Sequence, residues 1–383
     1  MLQATSTLPQ PEQLAPLRLL MLLTDAFGGH GGIAKFNRDF LEALDKTGNV
    51  DRTRALPRLI LRTPLEEIPE SVIYDRRAAK GKFSFIKRAL YLGGLGNRFD
   101  VVICAHINLI LPAVLAAKAQ GARLALIMHG VEIWTPPRDP MARALAGKVD
   151  AAISVSRLSA QRFMAWSKLP SEKVSILPNC VDLDVFVPKQ RDPELLRRYG
   201  LYSRKVIMTL GRLESKERFK GFDQVIAVLP RLRARFPDLV YLIVGDGPDR
   251  ARLEELAKTT GVGDQVIFTG MISEDEKVAH YNLADAYVMP SVGEGFGIVL
   301  LEASACGTPI VGSNADGSRE ALLNGELGKL IDPTNLNELL DAVTAALVNG
   351  KRGQRNDAVE TYSRQNFDAR VHDWITAQAA ERR

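Results

Sequence analysis

The sequence predicts an α/β protein made of two doubly wound parallel-sheet lobes that face each other across a cleft. Three observations lead there. A chain of 383 residues, 46% hydrophobic and 25% charged, has the size and ordinary composition of two globular domains. Apolar runs of about five to eight residues alternate with amphipathic segments of roughly ten to seventeen, the rhythm of strand-helix-strand units. That rhythm occurs twice, on either side of a break at 181–202.

In the first series the strands are expected at 17–23 (LRLLMLL), 100–105 (DVVICA), 123–129 (RLALIMH), 150–156 (DAAISVS) and 174–177 (VSIL). The break carries Pro188 and Pro193 with Lys189, Arg191, Asp192 and Glu194, a composition that suits an exposed connection of limited stiffness. The second series is expected at 205–211 (KVIMTLG), 239–245 (LVYLIVG), 265–270 (QVIFTG), 285–290 (DAYVMP) and 308–313 (TPIVGS). Residues 365–383 close the chain as a helix with Phe367, Val371, Trp374 and Ile375 on one side.

Composition narrows the function classes. Disorder, collagen and disulfide scaffolds do not fit it. The apolar stretch 107–117 stops at Lys118, about half the length needed to cross a bilayer. The segment before Leu17 has no Lys or Arg and lacks the basic leader of a signal peptide, so a cytoplasmic location is expected. Cys104, Cys180 and Cys306 are an odd number at wide spacing, as for reduced thiols and not for a disulfide framework or zinc site. The net charge of +5 belongs mainly to the N-terminal half, and no nucleic-acid partner is expected.

In doubly wound sheets ligands bind beyond the carboxyl ends of the strands, so the loops there are the candidate sites. TDAFGGHGG follows the first strand, and Gly28, Gly29, Gly31 and Gly32 would let a ligand approach the start of a helix beginning near Ile33. Gly29, Gly31 and Ala34 also spell G-x-G-x-x-A, with Asp51 twenty residues past Gly31, a partial match to a dinucleotide fingerprint. Five residues intervene between strand and first glycine, where a true fingerprint turns directly. His129 stands at the end of the third strand, where imidazole could donate or relay a proton or simply be a satisfied structural group. Arg212 and Lys220 lie at a strand-to-helix junction and could clamp a diphosphate. With Lys216 and Arg218, and interleaved with Glu214 and Glu217, they also read as a solvated basic loop.

The most informative segment is PSVGEGFGIVLLE, where Glu294 precedes a helix and Glu302 lies within it. Counted along a helix, eight positions carry Glu302 about 12 Å below Glu294 and roughly 80° past two turns, so one ligand of nucleotide-sugar size could touch both. Gly295 and Gly297 expose amides at a helix N-terminus, which favours phosphate oxygens. A Glu inside IVLLEASAC needs a partner or an exposed position.

Taken together, these residues make the chain resemble the retaining GT-B glycosyltransferases of family 4. The motifs are the glycine-rich first loop, HG-x-E-x-W, S-V-S-R at 154–157, I-L-P-N-x-V-D at 176–182, G-R with a downstream K-G, VGDGP, E-x7-E and LEASACGTPIVGS. The resemblance implies two Rossmann-like domains: an acceptor domain, 1–185, rejoined by the helix at about 365–383, and a donor domain, 186–364. It implies that Arg212 and Lys220 hold the donor pyrophosphate, that Glu302 binds the ribose and that Glu294 contacts the transferred sugar. His129 would stand near that sugar, Gly31 and Gly32 near the donor phosphates or acceptor, and Phe296, Gly297 and Ile298 at the donor. Asp316 stands where the family usually has a second glycine, and eight residues separate Arg212 from Lys220, a longer interval than usual. Asp182 and Asp184 read D-x-D but belong to the entry of the linker, and no catalytic metal or cofactor is expected beyond the nucleoside-diphosphate sugar itself.

The expected reaction is retaining transfer of a hexose, of UDP-glucose or GDP-mannose type, to a glycan or lipid-linked acceptor in cell-surface polysaccharide or glycolipid synthesis. Residues 76–98 hold seven basic and no acidic residues among Phe83, Phe85, Ile86, Leu90, Tyr91 and Leu92, which would bring the protein peripherally to anionic lipid. An epimerase of the same fold and, from G-x-G-x-x-A, a dinucleotide-dependent oxidoreductase are the alternatives.

Overall fold

The computed structural model describes residues 15–63, 66–94, 98–215, 218–350 and 353–381. A seven-stranded sheet has the order β3-β2-β1-β4-β5-β6-β7 and a six-stranded sheet the order β10-β9-β8-β11-β12-β13, with every pairing parallel. The first comprises β1 Leu17–Leu23, β2 Val50–Pro57, β3 Val72–Tyr74, β4 Val101–Cys104, β5 Arg123–Met128, β6 Ala151–Ser154 and β7 Val174–Ile176. The second comprises β8 Val206–Leu210, β9 Val240–Val244, β10 Val266–Phe268, β11 Ala286–Met289, β12 Ile310–Ser313 and β13 Lys329–Ile331. Central strands read as continuous apolar runs because both faces of a parallel sheet are covered; β1 and β9 are buried along almost their whole length.

Each sheet reverses its winding once, between β1 and β4 and between β8 and β11. The crevices at those reversals hold the glycine-rich loop after β1, and, in the second lobe, Arg212 after β8 and Glu294 after β11. β2, β3 and β13 lie outside the strands expected from the sequence. The fingerprint reading fails here: Asp51 lies at the amino end of β2 and is exposed, whereas a ribose-binding acid must stand at the carboxyl end.

The chain passes between lobes twice, side by side: Val181 bridges Ser363 in parallel, and the Val181 amide donates to the Tyr362 carbonyl at 2.9 Å. The linker is anchored more firmly than its composition suggests. Asn282 accepts from the Lys189 amide (2.6 Å) and donates to the Val187 carbonyl, and Arg191 pairs with Asp285 at 2.6 Å. The Asp182 carboxylate accepts from the Asp184 and Val185 amides, so D-x-D bends the chain.

After the second crossing the helix Arg364–Ala380 packs on the first lobe against the helix Gly32–Lys46. Phe367 meets Phe36 edge-on (5.8 Å) and Trp374 meets Phe40 (5.9 Å), pairs that add about 0.5–1.5 kcal/mol each beyond burial. Arg364 reaches Glu42 (2.8 Å), Asp368 (2.9 Å) and Asp39 (3.3 Å). The three cysteines are buried free thiols. No helix among the described residues is long and apolar enough to cross a membrane.

Candidate active site

The loop after β1 is built around buried Asp25, whose Oδ1 accepts from the Ala26 amide (2.7 Å) and the Tyr74 hydroxyl (2.8 Å). Of its glycines, Gly29 is packed inward: an added Cβ would stand 2.9 Å from the side chains of Asp25 and Ala34. Gly31, at φ 86°, and Gly32 instead border open space at the start of the helix Gly32–Lys46. These two are placed where a ligand could come close to the backbone.

His129 follows β5. Its Nε2 lies 3.0 Å from the Ala105 carbonyl, to which it must donate, and its ring stands edge-on to Phe36 at 5.2 Å. Burial pulls the imidazole down to about 4, against the partial opposing effect of that hydrogen bond. His129 is therefore neutral at physiological pH and suited to hydrogen bonding, not to the proton relay that the sequence left open. Its folded pKa lies below the ordinary 6.5, so its contribution to stability is fully present above pH 6.5 and is lost as pH falls toward about 4. The melting-temperature difference between wild type and His129→Gln should accordingly shrink between pH 7 and pH 4; a constant difference would contradict the burial argument.

In the second lobe the lengthened interval after Arg212 does not displace Lys220. A 3-10 turn, Arg218–Lys220, folds the lysine back over Gly211, and its Nζ reaches Glu294 Oε2 at 2.9 Å. Lys216 and Glu217 lie outside the described residues. Glu294 precedes the helix Ile298–Ala305 by four residues, so the helical rotation counted from it does not apply; a loop sets the separation of Glu294 and Glu302. Gly297 caps that helix in the left-handed region and Ile298 opens it. The Phe296 side chain turns away into an edge-on contact with Tyr362 at 5.4 Å, leaving only its backbone to face a ligand.

Glu302 is fully buried, which removes the surface-helix reading. Its Oε2 accepts from the Tyr281 hydroxyl at 2.7 Å; Oε1 stands 3.7 Å from Lys277 Nζ and has no hydrogen-bond partner among the described residues. Such an oxygen is costly unless a ligand hydroxyl completes it. Lys277 and Tyr281 were not anticipated, although their spacing of four residues on the helix Lys277–Leu283 places both on one face.

The lobes meet beside these groups through backbone. A Cβ on Gly295 would lie 2.2 Å from the His129 carbonyl, and one on Gly130 would lie 2.7 Å from Gly295 Cα. Farther along, Glu320 accepts from the Arg157 and Leu158 amides (2.8 and 2.9 Å) at the start of the helix Arg157–Ser167, which gives the S-V-S-R segment its place. Among the described residues no cluster of three or more His, Cys, Asp or Glu could hold a metal ion.

Two parallel-sheet lobes facing each other, with Lys220 and Glu294 paired at the winding reversal of the second, form the architecture of GT-B glycosyltransferases. The model of glycosyl transferases group 1 matches residues 193–365 and that of glycosyltransferase family 4 matches 30–185. A GDP-mannose-dependent alpha-(1-6)-phosphatidylinositol monomannoside mannosyltransferase of Mycolicibacterium smegmatis is 34% identical over 307 residues, 73% of this chain and 78% of the relative. A phosphatidyl-myo-inositol mannosyltransferase of the same species is 37% identical over 346 residues, 87% and 84% of the two chains. Among solved structures, Anabaena HepE in complex with UDP superposes with a TM-score of 0.74 at 19% identity, over 94% of this chain and all of that one. Sucrose-phosphate synthase from Thermosynechococcus elongatus does so at 0.70 and 19%, over 95% and 97%. The chain belongs to glycosyltransferase family 4.

Proposed function

We propose that this glycosyltransferase moves mannose, with retention and without a metal or cofactor, from GDP-mannose to a hydroxyl of an inositol-type glycolipid. The two relatives above support the donor and acceptor. The observation that carries the chemistry is Lys220 held on Glu294 at the β8–β11 reversal. In this reading residues 186–364 form the donor domain, and 1–185 with the returning terminal helix form the acceptor domain. As the bond from the anomeric carbon to the diphosphate lengthens, negative charge grows on the leaving phosphate. Arg212, Lys220 and the amides around Gly297 and Ile298 are the groups suited to stabilise it. Lys220 exchanges Glu294 for phosphate when donor enters, freeing Glu294 for the sugar. Glu302 Oε1 takes a ribose hydroxyl, and His129 offers Nδ1 to the sugar. Attack comes from the face the leaving group vacates, and the departing phosphate helps take the acceptor proton, so no covalent nucleophile is assigned.

The test is incubation with GDP-mannose or UDP-glucose and phosphatidylinositol, with the product anomer read by NMR. An α-mannoside is expected, together with a GDP-induced rise in melting temperature that Glu302→Ala abolishes. A β-linked product would overturn retention. A changed nucleotide sugar without acceptor would indicate an epimerase, and stabilisation by NAD or FAD alone an oxidoreductase.

We further propose peripheral attachment to anionic lipid at the cytoplasmic face through part of 76–98. Here the helix Lys82–Gly94 exposes Phe83 (87%), Leu90 and Tyr91 beside Lys80, Lys82 and Lys87. Arg88 belongs elsewhere: with Arg77 it pairs with buried Asp75, at 2.6 and 3.1 Å. Residues 95–97 lie outside the described residues. Lys80→Gln, Lys82→Gln and Lys87→Gln together should abolish sedimentation with phosphatidylserine vesicles, each lysine contributing about 1 kcal/mol; unchanged sedimentation would remove the proposal.

A further inference from the structure

Asp316, in the turn after β12, is a carboxylate that the core does not need. It is 3% exposed and has no ion pair among the described residues, so it is stabilised by hydrogen bonds alone. Its Oδ2 accepts from the Glu294 amide (2.8 Å) and the Ser291 hydroxyl (2.7 Å), and its Oδ1 accepts from the Ser318 amide (3.0 Å). The next residue completes the grip: the Gly317 amide donates to the Glu294 carbonyl at 2.9 Å. The main chain of Glu294 is thus held on its N–H side by Asp316 and on its C=O side by Gly317. At the other end of the same loop Ser291 is tied to the same carboxylate oxygen.

Burying a carboxylate on neutral donors is costly, and burial pushes the Asp316 pKa up while its hydrogen bonds oppose the rise. All three donors lie in two short turns, after β11 and after β12. What those bonds fix is the place from which the Glu294 side chain reaches into the cleft.

We propose that Asp316 is a positioning residue for the transfer reaction, fixing the Glu294 backbone so that its carboxylate meets the donor sugar. The inference rests on Glu294 acting at the sugar, as proposed above. The hydrogen bonds of Asp316 named above go to Ser291, Glu294 and Ser318 and not to Lys220 or Glu302, so its effect should fall on turnover and spare nucleotide affinity. In Asp316→Asn the amide keeps the shape but brings an N–H₂ to face one of the N–H donors, which loosens the loop.

The experiment measures GDP affinity and kcat for sugar transfer in wild type, Asp316→Asn, Glu294→Gln and the double variant. Asp316→Asn is expected to lower kcat on the order of 10- to 100-fold, as for a catalytic group displaced by about 1 Å, with GDP affinity within about threefold of wild type. In the Glu294→Gln background the same substitution should have little further effect, because the group it positions is already altered. Losses that multiply in the double variant, or GDP affinity that falls in step with kcat, would reduce Asp316 to a structural role and overturn the proposal. Should Asp316→Asn not fold, Ser291→Ala removes one of the two donors to Oδ2 and is expected to give the same pattern at smaller size; an unchanged kcat there would overturn it too. Wild type without transfer activity refutes the proposed function, whereas active wild type with equally active Asp316→Asn refutes only this inference.

Discussion

Glu294→Ala and Arg212→Ala are each expected to lower turnover by roughly 10²- to 10³-fold while the protein remains folded. The pair of Glu294 with Lys220 bridges two loops at the cleft with 20% and 14% of the side chains exposed, so its loss should cost somewhat more than the ~1 kcal/mol of an exposed pair. In the proposed function its chemical cost is larger, because Lys220 would lose the partner that holds it in place and the sugar would lose the carboxylate proposed to meet it. Arg212 follows β8 at the same reversal and, in the proposed function, would offer a planar, permanently charged donor to two phosphate oxygens. Steady-state rates alongside melting curves decide the matter; near-wild-type rates in both variants would sink the assignment of this site.

Gly295→Ala should be nearly as damaging for a different reason. The added methyl would stand 2.2 Å from the His129 carbonyl and 2.8 Å from Gly130 Cα, so the lobes can no longer meet as they do here. Because the clash lies between lobes, the second lobe, if it is the donor lobe of the proposed function, should still bind GDP, while kcat falls about 100-fold from misalignment across the cleft. Small-angle scattering should show a larger radius of gyration with donor bound than in wild type. Full activity in Gly295→Ala would mean that the working enzyme does not close at this contact.

The strands that are apolar but for one arginine near their start, β1 (Arg18) and β5 (Arg123), and the wholly uncharged β9 were legible because burial on both faces leaves little room for polar residues. β2 was missed because its first five residues include Asp51, Arg52 and Arg54, which point to solvent or to Asp75 near the sheet edge. β3 and β13, three residues each, are too short to show a period. At the site, Glu294, Glu302, Arg212 and Lys220 were legible as a spaced pattern, but their geometry was not: Lys220 is returned by a 3-10 turn that no local signal announces. Asp316 was visible only as a departure, since its use depends on two loops separated by about twenty residues of chain meeting in space. The Tyr281 hydroxyl on Glu302 is hidden for the same reason.

The return of the helix Arg364–Ala380 to the first lobe also reorders the protein's birth. On the ribosome, the strands of the first sheet emerge early, yet the cover that Phe367 and Trp374 give to Phe36 and Phe40 comes only with the helix Arg364–Ala380. The second sheet, β8 to β13, is contiguous in sequence and can assemble in that interval. The lobe begun first is therefore finished last, and a chain that lacks only the helix Arg364–Ala380 holds every strand of the second sheet beside a first lobe with an incompletely covered apolar flank. A chaperone that binds apolar surface on nascent chains should engage that flank, and release should coincide with emergence of the helix Arg364–Ala380.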